Sequence, residues 1–432
     1  MKNKYYSLIS LGVLTAVASG VFVFATPHIA LAVSAPTIRT PKNGAVVAPD
    51  TKIVVTGLAQ NNSTIYFILD KKVIGGTKVK NGKNNLGSFS FTIKQTLSRG
   101  VKHSLESQAL NKGAKSPFSS PITFTLPKTW PRRLDGVIVD ASKANVLPVA
   151  VMIENLAQVR PQSGLASASI VYEALAEGGI PRFMAIFARD DMLKVGPVRS
   201  TRPYYVDIAK EYGGPLLHAG GSRDAFQEIG RLQVRSIDAL VNKTAKYFFR
   251  TGTSPSTHNL FTNKTRIAAI KNDFKLESVI AGFDPWKFKD DPVLSKRPNE
   301  KRQLTIDFKS GREYIVMYKY ERASNSYLRF NGGRPHLDAN YPKATQIKVK
   351  NVVVQLIEKE KVLDAKKHLA LQITGSGKGW LLQDGKLQQI IWRKAKANSR
   401  TKFYFTNGKE IEFDRGNTWV EIVPKDRPVT YK

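Results

Sequence analysis

A change of pattern at residues 127–131 divides this chain into two parts that fold by different rules. Over residues 37–126 the apolar side chains come in short runs. Phe89, Phe91 and Ile93 alternate there with small polar residues, as in a half-buried strand. Beyond the change, strand-like runs alternate with helix-like ones, which is typical of an α/β arrangement. The sequence therefore predicts a multidomain protein, in which a β-sandwich precedes an α/β body with a mostly β second half.

The first 32 residues have the three-part layout of an export signal. Lys2 and Lys4 precede an uncharged apolar run, Leu8–Ala25, and Ala30-Leu31-Ala32 follows as an A-x-A cleavage pattern. The run is also long enough to remain in the membrane. Residues 1–32 are therefore predicted to be a signal peptide or an N-terminal membrane anchor, with membrane association through this segment if it is uncleaved. The rest is expected to be extracytoplasmic, either secreted or anchored to the outer face of the cytoplasmic membrane.

The chain is strongly basic and contains no cysteine. It has 67 Lys and Arg against 34 Asp and Glu, a formal net charge of +33. Such a field attracts anionic partners, which for an exported protein are wall polymers or membrane lipids and not nucleic acid. A generally basic proteome would produce the same excess. The absence of cysteine excludes disulfides, Cys-ligated zinc, a thiol nucleophile and a lipid anchor on an N-terminal cysteine.

The β segment at 37–126 resembles a bacterial immunoglobulin-like domain. The residues that carry this resemblance are Pro41-Lys42-Asn43-Gly44, Val55-Thr56-Gly57 and Ser119-Ser120-Pro121-Ile122-Thr123-Phe124. Domains of this type usually act as spacers or adhesive modules. His103 stands alone in the segment and is expected to be a surface residue and not a ligand.

The body is expected to contain two domains, an α/β domain at 132–290 and a mostly β domain at 300–430. Apolar periodicity and capping residues predict helices over Ser167–Ala176, Arg202–Tyr212 and Arg223–Ile229, and one capped by Thr262 that runs to Phe274. Hairpin turns are predicted at Asp384-Gly385 and Asn407-Gly408.

A series of ordered motifs in the body points to one protein family. The first half contains Val149-Ala150-Val151-Met152-Ile153-Glu154-Asn155, Arg160-Pro161-Gln162-Ser163-Gly164-Leu165, Gly196-Pro197-Val198-Arg199-Ser200-Thr201-Arg202-Pro203-Tyr204, His218-Ala219-Gly220-Gly221-Ser222 and His258-Asn259-Leu260. The second half contains Arg334-Pro335-His336-Leu337-Asp338, Asn351-Val352-Val353-Val354-Gln355 and Gly416-Asn417-Thr418-Trp419. Over about residues 132–430 the chain resembles the YerB-like proteins, bacterial proteins described as lipoproteins with two domains of unknown function. The resemblance implies a fold and an envelope location but no reaction. The lipidated cysteine of the familiar members is absent, and the preceding β segment is not typical of them.

Arg199 and Arg202 flank the start of a predicted helix, with Ser200 or Thr201 as its N-cap and Pro203 in its first turn. Cations are disfavoured at a helix N-terminus, so an anion is expected between them. That anion is either a ligand carboxylate or phosphate, or an internal acid such as Glu173 or Glu177. These two acids are four residues apart and are expected to share one helix face.

Other polar residues lie at predicted strand ends or in loops, where a scaffold presents groups to a ligand. The full set of candidate ligand-binding residues is Arg160, Glu173, Glu177, Arg182, Arg199, Arg202, His218, Ser222, His258, Asn259, His336 and Asp338. Of these, His218, His258 and Glu177 are the candidates for acid–base catalysis. No metal-spaced pair of ligands is present, and no metal or cofactor is expected.

Three hypotheses for function follow. The main one is an envelope protein that binds an anionic glycan or peptide through an Arg-rich cleft. The second is a hydrolase that acts on a cell-wall polymer or its precursor. The third is a structural partner in an envelope protein complex, in which the motifs serve only the fold.

Overall fold

The computed structural model describes residues 32–49, 51–189, 191–251, 258–276, 282–300, 302–340 and 344–432. The predicted export segment therefore lies almost entirely outside the described residues. In the described part of the chain, no helix is both long and apolar enough to cross a membrane. The chain divides into two compact units, and the second comprises Gly44–Lys52, Thr96–Lys102 and Phe124–Lys432.

The first unit comprises the described residues up to Asn43, Ile53–Gln95 and His103–Thr123. This unit and the parts of the second unit that adjoin it in sequence consist of short strands. They are β1 (Thr37–Thr40), β2 (Ala45–Val46), β3 (Val54–Gln60), β4 (Thr64–Leu69), β5 (Lys72–Lys78), β6 (Leu86–Thr92), β7 (Lys102–Asn111), β8 (Ala114–Phe118) and β9 (Ile122–Thr125). One antiparallel sheet has the order β1-β3-β6, and β4 pairs with both β5 and β7 in another. The two sheets face each other through aromatic contacts, since Phe67 of β4 stacks on Phe91 of β6 at 4.5 Å between ring centroids.

His103 lies in the interior of the first unit and not at its surface as expected. Only 4% of the residue is exposed, and its Nδ1 lies 2.6 Å from Oδ2 of Asp70. The side chains of β7 alternate between buried and exposed, and position 103 is on the buried side. The Asp70 carboxylate, which follows β4, gives the inward-pointing ring a polar partner.

The second unit contains all four helices of the described residues. These are α1 (Pro203–Lys210), α2 (Arg223–Leu232), α3 (Asn242–Ala245) and α4 (Lys264–Asp273). Its strands up to residue 289 are β10 (Thr129–Pro131), β11 (Ile138–Asp140), β12 (Val149–Ile153), β13 (Ile170–Leu175), β14 (Pro181–Phe187), β15 (Leu216–His218), β16 (Ser236–Asp238), β17 (Phe249–Arg250), β18 (Leu260–Phe261) and β19 (Lys287–Lys289).

Beyond residue 300 the described secondary structure consists of strands and short 3-10 turns. The strands are β20 (Gln303–Ile306), β21 (Val316–Glu321), β22 (Ser326–Asn331), β23 (Arg334–Pro335), β24 (Leu337–Asp338), β25 (Thr345–Gln346), β26 (Lys348–Val349), β27 (Asn351–Ile357), β28 (Lys361–Val362), β29 (Leu369–Ala370), β30 (Gly375–Gln383), β31 (Lys386–Lys394), β32 (Lys402–Phe405), β33 (Glu412–Asp414), β34 (Thr418–Pro424) and β35 (Val429–Tyr431). With the strands of the first unit, they make the protein mostly β and multidomain.

One mixed sheet of ten strands joins the two halves of the body. Its order is β16-β15-β12-β14-β13-β34-β27-β30-β31-β32. Strand β34, from near the C-terminus, lies between β13 and β27 and is parallel to both. The segments 132–290 and 300–430 thus belong to one compact unit and share a sheet and its cores. A smaller sheet, β23-β22-β21-β20-β35, packs on one face of the large one.

The predicted helix over Ser167–Ala176 is wrong, because this segment contains the central strand β13. Every residue of β13 is buried, from Ile170 to Leu175. A strand that is covered on both faces has no polar alternation, so its apolar run cannot be distinguished from a helix by periodicity. Glu173 and Glu177 therefore do not share a helix face, since Glu173 is in the strand and Glu177 opens a 3-10 turn after it.

The other three predicted helices exist, although two begin differently from the prediction. Neither Ser200 nor Thr201 caps α1, because Arg202 occupies the cap position without a side-chain cap bond and Pro203 is the first helical residue. Ser222 caps α2 and accepts a bond from the Ala225 N–H. Asn263, and not Thr262, caps α4.

Candidate functional site

The carboxylate of Glu173 is fully buried within the ten-stranded sheet. The guanidinium of Arg329, which β22 contributes from the smaller sheet, contacts its Oε2 and is also fully buried. Asn155, which follows β12, donates from Nδ2 to Oε1 of the same carboxylate at 3.1 Å. Oε1 of Glu421 in β34 lies 3.8 Å from this guanidinium. Burial and the neighbouring Glu173 raise the pKa of Glu421 well above its usual value.

His336 is held between two partners with its protonation fixed. Its Nδ1 contacts a terminal nitrogen of Arg329, and its Nε2 lies 2.9 Å from Oε1 of Gln162. Because arginine only donates and an amide oxygen only accepts, Nδ1 is the acceptor and Nε2 carries the hydrogen. Burial and the charges of Arg329 and Arg160 lower the pKa of His336 well below its usual value. His336 is therefore a neutral connector in this network.

Arg160 lies between this buried network and solvent. It donates from Nε and one terminal nitrogen to the side-chain and main-chain oxygens of Asn155, at 3.2 and 3.0 Å. Its other terminal nitrogen donates to the main-chain oxygen of Glu313 at 2.6 Å. Burial and the nearby Arg329 lower the pKa of Arg160. Since its partners are neutral oxygens, they orient the guanidinium without cancelling its charge.

A pocket of about 560 Å³ opens beside Arg160. The lining contains three positively charged residues, Arg160, Arg312 and Arg334, and one negatively charged residue, Glu313. The lining therefore has a net positive charge. Arg312 and Arg334 are exposed, and neither forms an ion pair with a side chain in the described ranges. We call this space the arginine pocket. Arg160 comes from the first half of the body, and Arg312 and Arg334 come from the second.

Asn331 closes the inner wall of the arginine pocket. Only 5% of it is exposed, and its Nδ2 donates to Oδ1 of Asn155 at 3.3 Å. Its Oδ1 is buried and accepts no hydrogen bond from the described residues. The Gly332-Gly333 turn, with φ of +61° and +75°, joins β22 to β23 and places Asn331 opposite Arg334. Buried amide oxygens are normally bonded, so this acceptor is an exception in the wall of the pocket.

Glu177 neutralises two of the predicted anion-binding arginines. Arg182 lies 2.7 Å from Oε1 of Glu177, and Arg202 contacts both oxygens of the same carboxylate, with its Nε 2.8 Å from Oε2. Both arginine side chains are buried, whereas that of Glu177 is 23% exposed. Burial alone would raise the pKa of Glu177, but the two guanidinium groups outweigh it and lower the pKa to about 2. The internal acid expected as the alternative to a ligand is thus present.

Arg199 has an internal acid as well, and it is one that the sequence analysis did not single out. Its Nε lies 2.7 Å from Oε2 of the buried Glu154, and His258 Nδ1 lies 3.6 Å from the same oxygen. Asn259, next in the chain, accepts from Arg250 through its Oδ1 at 2.8 Å. These contacts bring Arg199 and His258 together around one carboxylate.

His218, Ser222 and Asp338 make structural contacts and do not line the arginine pocket. His218 is buried, with Nδ1 2.9 Å from the Gly220 oxygen and Nε2 2.7 Å from Ser236 Oγ. Burial lowers the pKa of His218. Asp338 accepts from the main-chain N–H groups of Gly164 and Ala166, at 3.1 and 2.8 Å, and so holds the loop before β13.

The sequence candidates therefore separate into several groups. Arg160, Glu173 and His336 belong to the arginine pocket and its buried support, whereas Glu177, Arg182 and Arg202 form a separate ion cluster. Sequence reasoning did not select five residues that define the pocket or its support: Asn155, Arg312, Arg329, Asn331 and Arg334. Asn155 and Arg334 were the two with a signal in the sequence, since Asn155 closes the motif that begins at Val149 and Arg334 opens the motif that includes His336.

Comparisons with known proteins agree on the family. Residues 134–277 match the N-terminal domain, and residues 304–420 the C-terminal domain, of the family described as "Protein of unknown function (DUF3048)". The chain is 30% identical to the "Putative lipoprotein YerB" of Bacillus subtilis over 294 residues, which cover 67% of this chain and 85% of the relative.

A solved structure supports the same assignment. The crystal structure of YerB from Bacillus subtilis matches 69% of this chain and 98% of its own, with a TM-score of 0.61 and 27% identity. Both domains of the family are present here in the same order, and they contain every residue of the arginine pocket that bears charge. This chain therefore belongs to the YerB-like family, whose two domains are of unknown function.

Proposed function

We propose that this protein is exported and binds an anionic glycan or peptide of the cell envelope in the arginine pocket. One observation carries the proposal. Arg182, Arg199 and Arg202 form ion pairs with internal carboxylates, whereas Arg160, Arg312 and Arg334 surround a pocket and form no ion pair with a carboxylate of the described residues. Guanidinium groups match carboxylates and phosphates in geometry, so an anion can occupy the place that an internal acid fills elsewhere.

The size and position of the pocket support this proposal. A volume of about 560 Å³ is in the range of small-molecule sites, and is large enough for one or two sugar or amino-acid units. The pocket lies where residues of both family domains meet, and its inner wall rests on the fully buried pair Glu173–Arg329. A rigid support of this kind lets a site orient its donors before a ligand arrives.

Binding of two anionic polymers, polygalacturonate and poly-L-glutamate, tests the proposal. The exported part of the chain should bind at least one of them, and affinity should fall with added salt because the pocket is open to solvent. The double variant Arg312→Ala, Arg334→Ala should bind about tenfold more weakly with its thermal stability unchanged. The control, Lys386→Ala with Lys396→Ala, removes the same charge outside the pocket and should bind normally. Equal binding by both double variants would show that the arginine pocket is not the binding site.

The location outside the cytoplasm is part of the proposal. The charged start, the apolar run and the A-x-A pattern of residues 1–32 support it. Protease added to intact protoplasts should digest the body of the protein, whereas a cytoplasmic marker should survive. Full protection of the body until the membrane is broken would contradict the proposed location.

We propose further that residues 37–126 are an immunoglobulin-like sandwich that acts as a spacer, before a body of α/β type. The facing antiparallel sheets and the Phe67–Phe91 stack support a sandwich. The isolated segment 37–126 should unfold in one cooperative thermal transition. A segment with no transition would contradict an independently folding spacer.

A further inference from the structure

The buried Glu173 determines which atoms in the wall of the arginine pocket donate hydrogen bonds and which accept them. Because this carboxylate only accepts, the Asn155 amide must direct Nδ2 toward it. Oδ1 of Asn155 then faces the pocket side, where Arg160, Gln162 and Asn331 all donate to it. The Asn331 amide is thereby fixed as well, with its nitrogen turned to Asn155.

The remaining oxygen of Asn331 is therefore an acceptor by necessity. It is buried, it belongs to a residue that lines the pocket, and no described group donates to it. His336 does not fill this role, because its Nε2 hydrogen is directed to Gln162. The arginine pocket thus combines guanidinium donors with one buried acceptor, and Glu313 adds a carboxylate acceptor to its lining.

We infer that the pocket selects anions that carry a hydroxyl group close to the charge, as acidic sugars and polyol phosphates do. The inference rests on the proposed function, since it names the ligand class of the same site. The anionic group would contact Arg312 and Arg334. A neighbouring hydroxyl would donate to Asn331 Oδ1 after a small shift of the pocket wall, since this oxygen is closed to solvent without a ligand. A bare anion satisfies the arginines but leaves the buried oxygen without a partner.

A glycan fits this wall better than an extended peptide. A peptide that adds to a sheet edge needs main-chain N–H groups from the protein. Pro335, one of the two residues of β23, and Pro161 on the facing loop both lack that N–H. The charged recognition groups of the pocket are side chains, which suit the separate charges and hydroxyls of a sugar.

Matched small anions test the inference on the wild-type chain. Glycerol phosphate should bind about threefold to tenfold more tightly than methyl phosphate, as one additional neutral hydrogen bond predicts. Glucuronate should bind more tightly than cyclohexanecarboxylate by a similar factor. Comparing the affinities of glycerol phosphate and glucuronate then shows whether phosphate or carboxylate is the preferred charge. In Asn331→Ala the preference for hydroxylated anions should disappear, whereas Lys386→Ala, outside the pocket, should keep it.

The possible results separate the inference from the function on which it rests. Equal affinity of the matched anions for the wild type would overturn the inference and leave the proposed function in place. Tighter binding of an acetylated Glu-Glu peptide than of either hydroxylated anion would overturn it in favour of a peptide ligand. If neither the small anions nor the two anionic polymers bind the wild type, the proposed function fails together with the inference.

Discussion

The guanidinium of Arg329 contacts the carboxylate of Glu173 where neither side chain is reached by solvent. The two residues are 156 positions apart and belong to different sheets. The same guanidinium lies over the ring of Trp419 at 4.4 Å, so a third segment of the chain packs on the pair. This one contact therefore joins the smaller sheet to the centre of the larger one and supports the wall of the arginine pocket.

Replacing Arg329 by Met should destabilise the body by about 3–5 kcal/mol, because it leaves the buried Glu173 without its cation. Urea unfolding followed by tryptophan fluorescence measures this change. The double variant Arg329→Met, Glu173→Met removes both charges and should recover part of the loss. Arg312→Met, at an exposed position, should change stability by less than about 0.5 kcal/mol. A single Arg329→Met change that costs no more than this control would show that the pair is not a structural support.

Glu177 should make stability depend on pH in the acid range. Its pKa in the folded protein is lowered to about 2 from an ordinary value of 4.5, because Arg182 and Arg202 outweigh the effect of burial. The ionised carboxylate therefore stabilises the fold fully above about pH 4.5, and this contribution is lost as the pH falls toward 2. Glu177→Gln should cost about 3–5 kcal/mol at pH 7, since two buried cations lose their partner.

The measurement for Glu177 is the difference in unfolding free energy between wild type and Glu177→Gln at pH 7 and at pH 3. This difference should shrink at the lower pH. Glu358→Gln, at an exposed position paired with Lys425, is the control and should show a small difference at both values. A difference that grows on acidification has the wrong sign for a lowered pKa and would contradict the assignment.

Asp207 should have the opposite effect on the pH dependence of stability from Glu177. Burial and the neighbouring Glu228 raise its pKa to about 8 from an ordinary value of 3.8. The folded protein therefore holds a proton that the unfolded chain releases, so wild-type stability should fall as the pH rises from about 4 to about 8. Asp207→Asn keeps the shape of the protonated acid and should gain stability relative to wild type over this range. Thermal unfolding of both proteins at pH 5, 7 and 9 tests the sign, and parallel profiles would rule out a retained proton.

Sequence patterns predicted several elements that local chemistry determines. Ser222 caps α2 because its hydroxyl reaches the Ala225 N–H three residues later, and Asp384-Gly385 forms the turn between β30 and β31. Such features depend on neighbours within a few residues. The helix predicted over 167–176 was wrong because the burial of both faces of β13 is produced by residues from other parts of the chain.

The arginine pocket could not be predicted from the sequence for a similar reason. Arg160 was a candidate from the sequence, but its neighbours Arg312 and Arg334 are more than 150 positions away. They approach it because β34 inserts between β13 and β27, and because β22 directs Arg329 onto Glu173. Conversely, Arg199 and Arg202 resembled an anion site in sequence, but Glu154 and Glu177 already neutralise them.

The two adjacent glycines of the β22–β23 turn should respond differently to alanine. Both have a positive φ, which costs an alanine about 1–2 kcal/mol. At Gly333 a new Cβ has open space, whereas at Gly332 it would lie 2.8 Å from the main-chain oxygen of Glu313. Gly332→Ala should therefore lose at least about 1 kcal/mol more stability than Gly333→Ala, the matched control. Because the shift would move Asn331 and Arg334, Gly332→Ala should also weaken glycerol phosphate binding more. If both variants bind and unfold alike, the position of this turn against Glu313 does not set the geometry of the pocket.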